Sequence, residues 1–273
     1  MVTNSGLTAV RYFLLSVVLI IMIFPLFWMF RVALMPVGSS VAIDSLFQSS
    51  LTFQPFRALF EGTNTLKYLF NSGFVAIVVV LGNILFCFMT AYGLARFKSI
   101  VNKPLFISVI IVLMIPSHIL IIPLYLLALK AKVYDTYWAL ILPWLVNPIG
   151  IFLVKQYIES VPTSMEEAAR IDGAGEFRIL FQVVMPLCKP ALAVLAIQVF
   201  FTNWNSFLFP YILTSKDSLK TLPVGLAHLQ GHQAIDWQQL MAGSALAVIP
   251  VLILFVIMQR QIVSGITAGA IKQ

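Results

Sequence analysis

Val161-Pro162-Thr163-Ser164-Met165-Glu166-Glu167-Ala168-Ala169-Arg170-Ile171-Asp172-Gly173-Ala174, with nine residues between Gly173 and Val183-Val184-Met185-Pro186, is the stretch from which the rest of the chain is best read. Ser164-x-x-Glu167 is a capping-box pattern, and Thr163-x-x-Glu166 repeats it one residue earlier. A short helix is therefore expected to start here and to end by Gly173, which adopts positive φ readily. Met165, Ala168, Ala169 and Asp172 recur at i, i+3, i+4 and i+7 and share a face. Two alanines make that face shallow, so another protein's backbone can approach it closely. The same pattern also fits a plain amphipathic connector lying on a membrane surface.

Long apolar runs flank the stretch on both sides. Of 273 residues, 60% are apolar and 10% charged, against roughly 45–50% and about 25% in soluble domains. With a mean hydropathy of +0.98, the chain reads as an all-α membrane protein in one transmembrane domain, residues 1–273. A bilayer core takes about 20 apolar residues as a helix. Six runs qualify: 12–33, 70–95, 104–129, 137–157, 190–213 and 240–258, leaving a loop over about 158–189. The third contains Pro116 and Pro123 and the fourth Pro143 and Pro148. Such prolines are tolerated where neighbouring helices or polar groups satisfy the freed carbonyls. The first run is longer than a signal-peptide core and no A-x-A-like site follows it, so it reads as a retained anchor. With both termini inside, inner segments carry 10 of the 17 Lys and Arg and outer segments 7, a bias in the positive-inside direction.

Several function classes lose support. The net charge of +7 comes without any block of like charge, so it marks cytoplasmic loops and not a nucleic-acid surface. Cys87 and Cys188 are far apart and make no CxxC, which disfavours a disulfide framework or a zinc site. His228-x₃-His232 in the loop 215–239 is too little for a metal centre. No P-loop, G-x-S-x-G or HExxH occurs. Gly265-x₃-Gly269 lies beyond the polar Gln259-Arg260-Gln261 and does not read as a dimerisation face. Trp138, Trp144 and Trp237 fit an interfacial aromatic belt, and Arg31 is placed to snorkel to the outer interface.

Glu167-Ala168-Ala169, three residues, Gly173, nine residues and Val183-Val184-Met185-Pro186 closely resemble the loop of binding-protein-dependent ABC importer permeases. That loop reads E-A-A, three residues, G, nine residues, I-x-L-P; Val183 and Met185 stand here for Ile and Leu. Ala91-Tyr92-Gly93-Leu94-Ala95-Arg96-Phe97, Asp135-Thr136-Tyr137-Trp138, Trp204-Asn205-x-Phe207 and the tail Gly265–Lys272 are similar to the carbohydrate-uptake branch, of the maltose-transporter type. The resemblance implies a six-helix importer-permease fold. It also implies a coupling helix seated in a cleft of a cytoplasmic ATPase, formed with Glu166, Glu167, Ala168, Ala169, Asp172, Gly173 and Pro186. It implies a second, larger permease subunit, two ATP-binding subunits and an extracellular or periplasmic sugar-binding protein that meets the 215–239 loop. Residues 265–273 are expected to dock at the ATPase. No cofactor belongs to this chain; ATP and Mg belong to the partner ATPase. The setting implied is a bacterial or archaeal cytoplasmic (inner) membrane, with both termini cytoplasmic.

Polar groups at membrane depth are costly and usually face the bundle interior. Asn83, His118, Asn203, Trp204 and Asn205 fall near the middles of their runs. Amides, imidazole and an aromatic face are the groups that bind sugars, which makes these five the candidate translocation path. The alternative is that each bonds a neighbouring helix. The chain is thus expected to be a sugar-importer permease performing no chemistry. The rivals are a permease of the same family for a glycerol phosphate or polyol, and an autonomous secondary carrier. The carrier would show an inverted repeat or intramembrane carboxylates, and no Asp or Glu lies deep in any of the six runs.

Overall fold

Every regular element among the described residues is a helix. The structure is a computed structural model that describes the backbone of residues 5–229 and 236–270, and the side chains of 8–229 and 236–259. In chain order the helices are α1 (Ser5–Ala33), α2 (Ile43–Gln48), α3 (Gln54–Gly62), α4 (Thr65–Arg96), α5 (Asn102–Leu113), α6 (Ile121–Lys130), α7 (Tyr137–Ile141), α8 (Pro148–Ser160) and α9 (Ser164–Ile171). They continue with α10 (Glu176–Leu187), α11 (Lys189–Trp204), α12 (Leu208–Leu213), α13 (Leu222–His228) and α14 (Trp237–Ala270).

Among the described residues, three stretches are long and apolar enough to cross a membrane unbroken: Thr8–Ala33, Thr65–Arg96 and Trp237–Gln259. Three more qualify only as bent pairs. They are Asn102–Leu113 with Ser117–Lys130, bent by 94°; Tyr137–Trp144 with Pro148–Ser160, by 41°; and Glu176–Leu187 with Lys189–Trp204, by 79°. The expected runs 104–129 and 137–157 are therefore not straight spans, the run 190–213 follows a bend at Cys188, and proline is the physical reason. A proline drives the residue before it out of the helical region. Pro116 lies in the first break with extended backbone (φ −60°, ψ 122°). Pro148 opens α8 after Asn147, which is extended and caps the helix by accepting from Gly150 N–H. In the third, Lys189-Pro190 restart the helix after Cys188. The 190–213 run also breaks further on. Pro210 has no N–H for Ser206 and its ring crowds that carbonyl, so α11 stops at Trp204 and α12 resumes at Leu208.

The chain forms two compact units. One comprises residues up to Leu66 together with Gly225–Pro250. Its core gathers Ala33, Leu59, Ala242 and Ala245, with Val32, Met35 and Leu46 as a second cluster. Buried Gln238 accepts from Gly38 N–H and donates to the Ser39 carbonyl, closing the turn after α1. Arg31 is not extended toward an interface; it donates to the Ser49 carbonyl at 2.6 Å.

The other unit comprises Lys67–Val224 together with residues from Val251 onward. Val75, Val79, Cys87, Phe88 and Ala91 mark the buried face of α4 at helical spacing. They pack in one cluster with Ile151, Val154 and Ile158 of α8, Ile179 and Val184 of α10, and Leu192 and Leu195 of α11. Gly150 permits this closeness: a Cβ there would lie 2.8 Å from Leu195 Cδ1 and 3.1 Å from Cys87 Sγ. Trp144 is half-buried in T-shaped contact with Phe209, 4.9 Å between centroids, so it belongs to the packing and not to an interfacial belt. Trp138 and Trp237 are exposed.

Candidate functional site: a short exposed helix and a neutral cavity

Helix α9 begins one residue earlier than a Ser164 cap would place it. Its cap is Thr163, whose carbonyl accepts from the N–H groups of Glu166 and Glu167 at 2.9 and 3.0 Å. No side chain caps it, so the expected capping box is not formed. The reason lies in Glu166. It occupies the position from which a capping-box carboxylate would reach back, and it turns inward. At the other end Gly173 has φ +78°. Gly173 N–H bonds the Arg170 carbonyl at 3.0 Å, and Ala174 N–H bonds that of Ala169 at 2.9 Å. These two bonds are a Schellman stop.

Glu166 is 1% exposed. Its carboxylate accepts from Arg96 Nε at 2.7 Å and from the Tyr92 hydroxyl at 3.3 Å. Arg96 also donates to the Val161 carbonyl at 2.7 Å. The Tyr92 hydroxyl lies 3.3 Å from Glu176 as well, and Arg170 grips Glu176 with Nε at 3.0 Å and Nη2 at 3.3 Å. Two carboxylates and two guanidinium groups thus balance, and they bind α9 to the end of α4. The hydrogen bond from Arg170 holds the Glu176 carboxyl below the usual glutamate range, and Glu176 raises Arg170 in return.

The outward surface differs from the expected face. Met165, Glu167, Ala168 and Asp172 are exposed, but Ala169 is half-buried against the core. Ile171 and Phe177, 87% and 74% exposed, join the surface instead. Sequence reasoning missed them because the i, i+3, i+4 pattern counted Ala169 as outward. The signal was Glu166, which shares a face with Ala169 and needs the buried cation. Pro186 is exposed on the last turn of α10, after a widened turn over Ile179–Val184. Lacking an N–H, it leaves a backbone carbonyl one turn back without its ordinary helical partner.

A cavity of about 520 Å³ opens in the same unit. Its lining includes Asn83, Trp144, Gln198, Thr202, Asn203 and Phe209 and, among the described residues, no Asp, Glu, Lys, Arg or His. Asn83 is already engaged: it donates to the Trp144 carbonyl at 2.6 Å and accepts from Asn147 at 2.8 Å and from Cys87 at 3.2 Å. Of the five candidate path residues, Asn83 and Asn203 line the cavity and three do not. His118 is exposed, its ring 5.9 Å from that of Phe209. Trp204 is buried and stacks on Phe200. Asn205 caps α11 and donates to the Phe201 carbonyl at 2.9 Å. Gln198 and Thr202 were missed, although Gln198, Thr202 and Asn203 at i, i+4 and i+5 form a polar stripe on an apolar helix. Among the described residues no group of His, Cys, Asp and Glu could hold a metal ion; His232 lies outside them.

Residues 83–268, a stretch that includes both α9 and the cavity-lining helices, match the family described as binding-protein-dependent transport system inner membrane component. The chain belongs to this family. Relatives in it are transport-system permeases. The arabinooligosaccharides transport system permease protein of Halalkalibacterium halodurans is 38% identical over 82% of this chain and 81% of its own length. The sulfoquinovosyl glycerol transport system permease protein of Agrobacterium fabrum is 32% identical over 99% and 98%. The trehalose transport system permease protein of Mycobacterium tuberculosis is 31% identical over 91% and 92%. In fold, the chain is similar to a chain of a bacterial ABC transporter involved in the import of the acidic polysaccharide alginate, with a TM-score of 0.81 and 20% identity, covering 95% of this chain and 98% of that one. Family membership and the apolar helices make this a multi-pass membrane protein, a transport component.

Proposed function

We propose that this chain is one of two permease subunits of an ATP-driven importer of oligosaccharides or related sugars. It crosses the membrane six times, through three continuous helices, the first two bent pairs and α11 with α12, with α10 outside the membrane beside α9 and both termini in the cytoplasm. Helix α9 is its coupling helix. Met165, Glu167, Ala168, Ile171, Asp172 and Gly173 face the ATPase, Glu166 positions the helix from behind, and the exposed Pro186 ends the elbow that follows. ATP binding and hydrolysis on two partner subunits move α9, and the movement changes access to the cavity. A second permease completes the path, and a sugar-binding protein delivers the solute from outside.

The observation that carries this reading is α9 itself. It is a short helix, exposed on a shallow face, stopped by a glycine at positive φ and clamped from behind by a buried ion pair. A free connector has no use for a clamp. Relatives named for arabinooligosaccharides, galactooligosaccharides, diacetylchitobiose and trehalose support the sugar class. So does a neutral cavity offering amides, a hydroxyl and an indole. The test is reconstitution with the permease, ATPase and binding protein encoded beside it. ATP-dependent sugar uptake is expected; ATP-independent transport by this chain alone in liposomes would overturn the reading.

A further inference from the structure

The three bent pairs of the second unit are each interrupted by a break, but α4 beside them runs unbroken for 32 residues. Both of its ends are bonded to segments outside it. At the inner end Tyr92 and Arg96 hold Glu166, Glu176 and the Val161 carbonyl. At the other end Asn71, fully buried, donates to the carbonyls of Ser218 and Lys220, both at 2.9 Å, and accepts from the Tyr137 hydroxyl at 2.6 Å. Beside it Ser72 accepts from Leu222 N–H at 2.8 Å, and the Tyr68 hydroxyl donates to Asp217 at 2.7 Å. Asp135, in the left-handed region at φ 58°, secures the same segment by accepting from the N–H groups of Ser215 and Lys216, each at 2.9 Å. Tyr68 and Arg96 are about 42 Å apart along a helix rising about 1.5 Å per residue, longer than a bilayer core of about 30 Å.

An unbroken helix resists stretching and bending because every turn is tied by backbone hydrogen bonds, whereas a proline break removes such a tie. We infer that α4 is a strut that carries displacement of α9 to the segment 215–222 as one rigid piece, with Glu166–Arg96 and Asn71–Ser218 as its attachment points. Glu166, Arg96 and Asn71 are positioning residues: they act through the segments they hold. The inference rests on the proposed reading that α9 faces the ATPase. It adds that α9 and the segment at the opposite end of α4 move together, so a partner on one is sensed at the other.

The test uses the assembled importer complex, with spin labels on Thr163→Cys and Ser218→Cys. Both positions are exposed, and the side chain of Thr163 makes no capping bond. The distance between the labels should be the same in the nucleotide-free and ATP-trapped states, and Asn71→Ala should broaden it. A shift by a helical turn, about 5.4 Å, between states in the otherwise unsubstituted complex would overturn the strut. In the functional arm, Glu166→Gln should retain ATP hydrolysis and lower solute moved per ATP by about tenfold, a coupling loss of ordinary size. The reversed pair Arg96→Glu with Glu166→Arg should recover part of it. Proportional loss of hydrolysis and uptake, with no recovery in the reversed pair, would reduce the ion pair to a brace. Absence of ATP-driven uptake in the unsubstituted complex would defeat the proposed function instead, while the label distance judges the strut separately.

Discussion

Glu166 of α9 and Arg96 of α4 are 70 residues apart in sequence and meet at 2.7 Å, with side-chain exposures of 1% and 10%. The adjacent Glu167 points out. Adjacent acidic residues therefore do opposite work, and truncating each should separate stability from coupling. Glu166→Ala leaves a buried guanidinium uncompensated, which costs about 3–5 kcal/mol. Its thermal midpoint in detergent should fall steeply. Glu167→Ala should unfold within about 0.5 kcal/mol of the parent, as exposed substitutions do, and Glu167→Lys should abolish sugar uptake by loosening the ATPase. Normal uptake and ATPase retention in Glu167→Lys would remove the coupling assignment.

At Gly173 nothing lies within 4 Å of a would-be Cβ, and φ is +78°. A substitution there meets strain but no clash. The cost is about 1 kcal/mol or more for an ordinary side chain, and Asn tolerates this region better. Uptake should fall in the order Gly, Asn, Ala, Val, with membrane insertion unchanged throughout. Equal uptake in Gly173→Val and Gly173→Asn would count against the backbone explanation.

Gly150 and Gly82 make a contrasting pair. A Cβ at Gly82 would come within 2.4 Å of Leu145 Cδ2, the mobile tip of one side chain. At Gly150 it would meet Leu195, Cys87 and Asn147 at 2.8, 3.1 and 3.2 Å. Despite the longer distances, Gly150→Ala should be the worse variant, by about 1–3 kcal/mol of overpacking. Thermal unfolding of the two purified variants decides it.

In the cavity, Gln198→Leu and Asn203→Ala should raise KM or change which sugars are accepted while the complex stays assembled. Trp204→Ala should act otherwise. The side chain is buried on Phe200 and outside the lining, so stability should fall by about 3–5 kcal/mol with selectivity kept in what remains folded. A selectivity change in Trp204→Ala at unchanged stability would return that residue to the path.

The Arg170–Glu176 pair gives a pH dependence of known sign. Glu176 is depressed by the Arg170 hydrogen bond. Its contribution is fully present above the ordinary glutamate pKa, about 4.3, and is lost as pH falls through the lower folded value. Acid unfolding of Arg170→Gln should therefore begin at higher pH than that of the parent, modestly, because both side chains are nearly half exposed. Coincident acid transitions would refute the pair's contribution.

The helical class, the three continuous spans and the glycine stop of α9 were legible in the residues. Apolar run length and a Gly at the right spacing carry that information locally. The bends were only half legible. Pro116 and Pro148 were visible and Pro210 was not read, and whether a proline kinks or breaks a helix depends on what satisfies the freed carbonyls, which is set by distant partners such as the Asn83–Asn147 pair. The cap of α9 failed for the same reason. Glu166 prefers an arginine 70 positions away over its own helix start, and no local pattern reports that preference. Among the path candidates, polarity picked out Asn83 and Asn203, which line the cavity, and equally His118, Trp204 and Asn205, which lie outside its lining.

The absence of charge from the cavity lining has an electrical consequence. Moving a charged group across the transmembrane field takes about 2.3 kcal/mol per elementary charge per 100 mV. Asn83, Gln198, Thr202 and Asn203 contribute dipoles and no net charge to the wall. If this cavity is the proposed path, its opening and closing moves no ionised lining side chain of this chain's described residues across the potential. Any voltage dependence arising from this wall is then limited to the smaller contribution of reorienting dipoles.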